Sequence, residues 1–217
     1  MSKRVAVLIS GSGSNLQALI DAVEADKNHP AEIALVVSNK ADAYGLERAA
    51  FHNIEACVLD NTQFDSRESY DATMHDLLES HAIDLVCLAG FMRLLTAPFV
   101  DAWHGRMLNI HPSLLPSFKG LHTHRNVLEA GIPFTGCTVH FVTPDMDAGP
   151  IILQAAVPVE QNDTEDSLAK RVLTYEHQCY PQALRWVAEG RITLENNHVK
   201  RKGAAEAAPG IIHPLLD

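Results

Sequence analysis

Short, unbroken apolar runs alternate with segments of helical periodicity over the first half of the chain. The runs are rich in Val, Ile and Leu, as expected of parallel strands buried on both faces, and they span residues 5–9, 33–37, 56–59, 85–89 and 107–110. Apolar positions at helical spacing predict intervening helices that start near Asn15 and cover residues 45–52 and 67–80. This alternation predicts an α/β fold with a Rossmann-like, mostly parallel sheet flanked by helices.

The pattern changes in the second half of the chain. Apolar runs at residues 137–142 and 151–157 flank a turn-rich loop at 143–150 and have no helical segment between them. Two neighbouring strands joined by a loop are typical of antiparallel pairing. We therefore expect an antiparallel C-terminal extension of the sheet.

A long helix is predicted after this extension. Asp163 or Thr164 can cap its N-terminus, and acidic residues follow in its first turn, where the helix dipole favours them. Pro181 should kink or break the helix before it ends near Gly190. Two short runs around an Asn-Asn turn then predict a hairpin, at residues 191–194 and 198–201.

Composition narrows the class of protein. The 217 residues are 47% hydrophobic and 20% charged, which is ordinary for a globular protein, and the chain is long enough to bury a full core. A net charge of -10 argues against a general nucleic-acid binder. No stretch approaches the roughly 20 apolar residues of a membrane helix. The four cysteines show no CxxC spacing, so we expect reduced thiols and a cytoplasmic protein.

Asn109 and His111 are the strongest candidates for chemistry. They stand two residues apart at the end of a predicted strand, so their side chains share one face, and Pro112 and Pro116 make the following loop rigid. An amide that holds an oxyanion and an imidazole that moves a proton suit a reaction at a carbonyl. A histidine at a strand end is also commonly a hydrogen-bonded structural residue, and the spacing alone leaves both interpretations open.

The segment Gly11-Ser12-Gly13-Ser14-Asn15 joins the first strand to the first helix. Glycines there let a ligand approach the backbone, and the helix N-terminus offers free N–H groups to an anion. The dinucleotide motif GxGxxG fails at Leu16, and no P-loop lysine follows. The alternatives are a tight turn that needs glycine and a site for a single phosphate; the Ser and Asn side chains favour the phosphate.

Other polar residues are ambiguous by themselves. Asp145 and Asp147 lie in the turn-rich loop, where aspartates commonly form Asx turns, although a carboxylate beside His111 would orient its ring. Arg93 follows the fourth strand and could line the pocket of a flat heterocycle or lie on the surface. Glu176 is by default a solvated charge. His122 and His124 form only a weak metal pattern, so we expect no metal.

Taken together, several segments resemble phosphoribosylglycinamide formyltransferase, the family of folate-dependent GAR transformylases of purine synthesis. The resemblance covers roughly residues 4 to 195. The matching segments follow the family's order, and they are residues 9–17, 38–49, 88–93, 108–116, 120–124, 138–142 and 147–150.

The resemblance implies a set of site residues. The catalytic trio would be Asn109, His111 and Asp147, and Glu176 would meet the amine of phosphoribosylglycinamide. Its phosphate would be held by Gly13, Ser14 and Asn15. The co-substrate 10-formyltetrahydrofolate would be enclosed by Arg67, Met92, Arg93, Leu94, Leu95, Asn109, Pro144, Asp145, Met146 and Asp147, with Arg67 facing its glutamate tail. Leu173 stands where some relatives have a polar residue, which puts a ribose contact in doubt.

The resemblance also implies one formyltransferase domain over residues 1–217. We expect a phosphate-binding half at about 1–100, a catalytic and folate half at about 101–195, and a loose tail at 203–217. The partners expected are small molecules, with no nucleic acid and no membrane, and the protein should be a monomer or a homodimer.

Three rival functions remain to be separated. A Met-tRNA formyltransferase would carry a further C-terminal domain and a basic surface, and formyltetrahydrofolate hydrolase usually has an extra N-terminal regulatory domain. A non-catalytic sensor of phosphate ligands would use the same scaffold, since a fold does not fix a function. Turnover that depends on glycinamide ribonucleotide would separate the transferase from the other two.

Overall fold

The computed structural model describes residues 2–203. The strands are Lys3–Ile9 (β1), Ala31–Ser38 (β2), Ala56–Val58 (β3), Leu85–Leu88 (β4), Met107–His111 (β5), Phe134–Phe141 (β6), Ile151–Pro158 (β7), Ile192–Glu195 (β8) and His198–Arg201 (β9). The helices are Ser14–Glu24 (α1), Gly45–Phe51 (α2), Arg67–Ser80 (α3), Ala97–Ala102 (α4), Thr123–Ala130 (α5) and Glu165–Ala188 (α6), with a 3-10 turn at Asn61–Gln63.

Among the described residues, seven strands form one sheet in the order β3-β2-β1-β4-β5-β6-β7. The first five pair in parallel, β6 and β7 add in antiparallel fashion, and β8 and β9 form a separate hairpin. The strand order reverses between β1 and β4, so the loops that leave these strands diverge and open a crevice at the carboxyl edge of the sheet. The predicted fold class is confirmed.

Alternation along the central strand divides the core into two layers. Val5, Val7 and Ile9 pack with α1 and α6 on one face, whereas Ala6 and Leu8 pack with α3 and α4 on the other. All five side chains are fully buried. A strand covered on both faces cannot afford polar positions, which is why these runs are continuously apolar.

Several predicted elements differ from the observed ones. The helix over residues 67–80 is confirmed, but α4 and α5 were not predicted. Thr164, rather than Asp163, caps α6, and its hydroxyl accepts a hydrogen bond from the backbone N–H of Ser167. The predicted break at Pro181 is wrong: α6 continues through it, since the loss of one backbone hydrogen bond is offset by the buried side chains on either side.

Two further expectations concern residue environment. Cys87, Cys137 and Cys179 are buried free thiols, and Cys57 is a half-buried one. Within residues 2–203, no helix is long and apolar enough to cross a membrane. The loose tail predicted at 203–217 lies, apart from Gly203, outside the described residues.

The contact between β6 and β7 leaves no room for a side chain at one position. A Cβ atom on Gly136 would stand 1.8 Å from the carbonyl oxygen of Ala155. Because backbone atoms cannot move aside as a flexible side chain can, we expect Gly136→Ala to lower the free energy of unfolding by about 2–3 kcal/mol. Chemical denaturation measures this change.

The control is Ala156→Ser, an exposed position that lies opposite Gly136 in the register. It should change the free energy of unfolding by less than about 0.5 kcal/mol. A Gly136→Ala protein as stable as the wild type would mean that β6 and β7 do not pair in this way.

Candidate active site

Two polar side chains project from the carboxyl end of β5, in the middle of the sheet. Asn109 is half-buried and His111 is 5% exposed. They pair with His140 and Thr138 of the antiparallel neighbour β6. Side chains two residues apart on a strand share one face, so β5 delivers an amide and an imidazole together, as the sequence predicts.

The ring of His111 stands between two oxygen acceptors. Its Nε2 lies 2.9 Å from the carbonyl oxygen of Phe118, and its Nδ1 lies 3.5 Å from Oδ2 of Asp147. The same carboxylate oxygen accepts a hydrogen bond of 2.8 Å from the backbone N–H of Gly120. The structure thus brings Asp147 and His111 together, a long-range contact that the sequence alone could not establish.

Asp147 reaches this position because the loop between β6 and β7 folds tightly back onto the sheet. The residue adopts a left-handed backbone conformation with φ of 49°. Close by, a Cβ atom on Gly149 would stand 1.7 Å from the carbonyl oxygen of Phe141. The glycine therefore permits the backbone approach that carries the carboxylate under the imidazole.

His140 is a member of the site to which the sequence analysis gave no role. Its Nδ1 lies 2.8 Å from the carbonyl oxygen of Phe141, and its Nε2 lies 3.2 Å from Nδ2 of Asn109. A carbonyl can only accept, so Nδ1 carries the proton and Nε2 accepts from the amide of Asn109. Burial lowers the pKa of His140, which keeps the ring neutral and preserves this arrangement.

A signal for His140 was present in the sequence, although it was not used. In an antiparallel extension, a polar residue on the buried strand next to Asn109 must find a polar partner. The register pairs His140 directly with Asn109. The resulting hydrogen bond fixes the amide while leaving its second N–H free to serve another acceptor.

The glycine-rich segment between β1 and α1 forms a compact turn. Gly13 has φ of 68° and precedes the first residue of α1, Ser14. The carbonyl oxygen of Gly11 accepts a hydrogen bond of 3.0 Å from the backbone N–H of Gly45, and that of Ser12 accepts one of 2.9 Å from the guanidinium of Arg48. With these carbonyls engaged by α2, the N–H groups at the start of α1 are available to an anion.

Glu176 is not the solvated charge that its sequence context suggests. It is 7% exposed on the inner face of α6, and its Oε2 accepts a hydrogen bond of 2.7 Å from Nδ2 of Asn15. Burial raises the pKa of Glu176, and the hydrogen bond from Asn15 partly opposes that rise. The contact brings the predicted phosphate segment and the predicted amine-binding residue together.

The residues predicted to enclose a folate are mostly on the surface of the same edge. Met92 is 65% exposed, Leu94 is 58% exposed and Met146 is 53% exposed. Such exposure of large apolar side chains from two neighbouring loops is typical of a surface that a ligand covers. The remaining residues of this set are the exposed Arg67, Pro144 and Asp145 and the half-buried Arg93 and Leu95.

Two open cavities lie beside these positions. One of about 470 Å³ is lined by Ser14, Gln17, Asp21, Arg48 and His177, next to the glycine-rich segment, and one of about 420 Å³ lies next to residues 143–145. In the part of the chain that the structure describes, no cluster of three or more His, Cys, Asp or Glu side chains could hold a metal ion.

Comparison with known proteins places the chain in a family. The sequence profile described as formyl transferase matches residues 3–184. The chain belongs to the formyl transferase family. It is 51% identical over 193 residues to phosphoribosylglycinamide formyltransferase of Escherichia coli, a match that covers 89% of this chain and 91% of the relative.

Two further members of the formyl transferase family show the extent of the likeness. The crystal structure of glycinamide ribonucleotide transformylase 1 from Symbiobacterium toebii has 50% identity and a TM-score of 0.89, covering 92% of this chain and 94% of that one. The bovine trifunctional purine biosynthetic protein adenosine-3 is 53% identical over 89% of this chain. The match spans 19% of the length of that larger relative.

The buried carboxyl group of Glu176 generates a prediction about pH. A pKa raised by burial means that the folded state is penalised as the carboxyl ionises, so this contribution to stability is present at low pH and is lost as the pH rises through the raised pKa. We expect Glu176→Gln to gain stability relative to the wild type between pH 4 and pH 8. Chemical denaturation across this range measures the difference.

The control for Glu176→Gln is Glu79→Gln, since Glu79 is an exposed carboxyl of α3. The difference between this control and the wild type should stay nearly constant over the same range. A Glu176→Gln difference that is flat or shrinks with rising pH would contradict the assigned environment.

Proposed function

We propose that this formyl transferase moves a formyl group from 10-formyltetrahydrofolate to the amine of 5′-phosphoribosylglycinamide. The products are formylglycinamide ribonucleotide and tetrahydrofolate, in de novo purine (IMP) biosynthesis. The observation that carries the proposal is the hydrogen-bonded cluster of Asn109, His111, Asp147 and His140 at the edge of the sheet. The close relatives of that name, matched over nearly their whole length, support the same activity.

The reaction joins the amine nitrogen to the formyl carbon and then breaks the bond from that carbon to N10 of the folate. The tetrahedral intermediate carries a negative oxygen, which the free N–H of Asn109 and the imidazole of His111 would stabilise. Asp147, at 3.5 Å from His111, favours the positive charge that the ring takes up. The amine proton passes to N10 through His111 or water.

Binding of the phosphoribosylglycinamide is assigned to the crevice between β1 and β4. Gly13, Ser14 and Asn15 offer backbone N–H groups and the helix N-terminus to its phosphate. Glu176 faces the amine; its raised pKa suits a group that must accept a hydrogen bond without holding a proton too weakly to exchange it. Holding amine and formyl carbon together supplies rate enhancement through proximity.

The folate is assigned to the adjoining loops. Met92, Leu94 and Met146 supply apolar surface for a flat heterocycle, together with Arg93, Leu95, Pro144 and Asp145. Arg67 at the exposed start of α3 is placed to meet a glutamate carboxylate. These contacts, a cytoplasmic location and a monomeric or homodimeric state are part of the proposal; free thiols at all four cysteines support a reducing compartment.

The direct test is deformylation of 10-formyl-5,8-dideazafolate, followed by absorbance, with and without glycinamide ribonucleotide. The proposal expects folate product only when the amine substrate is present. Equal product without the amine would show a hydrolase instead. Folded protein that binds phosphate ligands yet forms no product would show the sensor and overturn the proposal.

The catalytic assignment predicts the effect of two substitutions. Asn109→Ala removes a donor to the oxyanion, and Asp147→Asn removes the charge beside His111, so each should lower kcat by about 10²–10³-fold with the fold intact. Steady-state kinetics and circular dichroism measure both effects.

The matched control is Asp76→Asn, which alters an exposed carboxylate of α3. It should leave kcat within about twofold of the wild type. Near-normal kcat in either Asn109→Ala or Asp147→Asn would remove that residue from the chemistry.

A further inference from the structure

Asp71 is a buried carboxylate to which the proposed chemistry gives no role. It lies on the inner face of α3 and is 3% exposed. A carboxylate is costly to bury unless partners replace its lost hydration. Its environment therefore shows what the charge is used for.

The carboxylate is joined to the chain segment that follows β4. Its Oδ2 accepts a hydrogen bond of 2.6 Å from the backbone N–H of Thr96, the residue that caps the start of α4. Negative charge is favoured at that end of a helix. Its Oδ1 is buried and has no hydrogen-bond partner among the described residues. The carboxylate thus fixes the far end of residues 92–96, here called the 92–96 segment.

The same segment is held at two further points. The guanidinium carbon of Arg93 stands 4.4 Å from the centre of the fully buried Tyr70 ring, which is next to Asp71 on α3. The backbone N–H of Met92 donates a hydrogen bond of 2.8 Å to Oγ of Ser10, at the end of β1. Three anchors on five residues leave the backbone of the segment little freedom.

What these anchors present to solvent is apolar. Met92 and Leu94, on the 92–96 segment, are 65% and 58% exposed, and both belong to the surface assigned above to the folate. A binding surface on a loop is effective only if its backbone is held before the ligand arrives, because otherwise binding must supply the ordering free energy.

We propose that Asp71 is a positioning residue for the formyl donor: its hydrogen bond to Thr96 holds the 92–96 segment so that Met92 and Leu94 face the heterocycle. The inference rests on the proposed function. Because Asp71 is buried beneath the segment, it acts through the segment and touches neither substrate. The expected consequence is selective, affecting the donor and sparing phosphoribosylglycinamide, which binds at the other loop.

The test is steady-state kinetics of Asp71→Ala and Asp71→Asn, with KM determined separately for the formyl donor and for glycinamide ribonucleotide. Asp71→Ala should raise the donor KM by about tenfold, with the KM of the amine substrate within about twofold and kcat lowered by less than about threefold. Asp71→Asn keeps an acceptor oxygen but loses the charge, so its donor KM should rise by about threefold.

Leu78→Ala is the matched control, since Leu78 is a fully buried residue on the same face of α3, two turns farther along. It should lower Tm and leave both KM values unchanged. If Asp71 only stabilises the fold, its variants will behave like Leu78→Ala, and an unchanged donor KM overturns the inference. If Asp71→Ala does not fold, Asp71→Asn decides by the same criterion.

The wild type separates this inference from the proposed function. Wild-type turnover that requires both substrates, together with an unchanged donor KM in the variants, contradicts the role of Asp71 alone. A wild type that does not use the formyl donor contradicts the proposed function, and the inference falls with it.

Discussion

The carboxylate of Asp147 is the interaction on which the site depends. It receives a backbone hydrogen bond from Gly120, and it lies 3.5 Å from His111 and 3.9 Å from His140. These groups come from β5, from β6 and from the loops that follow both strands. A charge that is mostly shielded from water must be matched by such partners, so the carboxylate holds three separate parts of the chain in one arrangement.

The two histidines serve this carboxylate in different ways. His111 faces oxygen acceptors from both ring nitrogens, which prepares it to carry positive charge. His140 is buried, its pKa is lowered, and it orients the amide of Asn109. An oxyanion site needs donors that are already in place before charge develops, and a hydrogen-bonded amide beside a fixed imidazole meets that requirement.

The sheet topology explains why the substrates are assigned to separate loops. The reversal of strand order between β1 and β4 separates the glycine-rich segment after β1 from the 92–96 segment after β4. The first meets Glu176 through Asn15, and the second is anchored on α3. β5 ends between these regions and the extension formed by β6 and β7, which places Asn109 beside both.

Much of the fold follows from local patterns, whereas the site depends on contacts between distant residues. The parallel strands were predictable because a strand buried on both faces must be continuously apolar, and α3 begins with a serine cap. α4 is six residues long and contains Pro98, and α5 has few apolar residues, so neither carries a periodic signal. The unbroken α6 shows packing overriding the local effect of Pro181.

The same limit applies to the functional residues. Asn109 and His111 share a strand, so their common face could be predicted from their spacing. The approach of Asp147 to His111 required the left-handed turn at Asp147, and the burial of Glu176 required the packing of α6 on the sheet. No pattern in the sequence fixes either one; the resemblance to a family supplied them as expectations.

The central claim is that a neutral His140 holds Asn109 ready for an oxyanion, and the protonation state of this ring tests it most directly. Long-range ¹H–¹⁵N NMR spectra of histidine-labelled protein, assigned with a His140→Asn variant, report which ring nitrogens carry protons. The account predicts that His140 has a proton on Nδ1 and none on Nε2 between about pH 6 and 8, since burial lowers its pKa. A ring protonated on both nitrogens at pH 7, or on Nε2 alone, would contradict it.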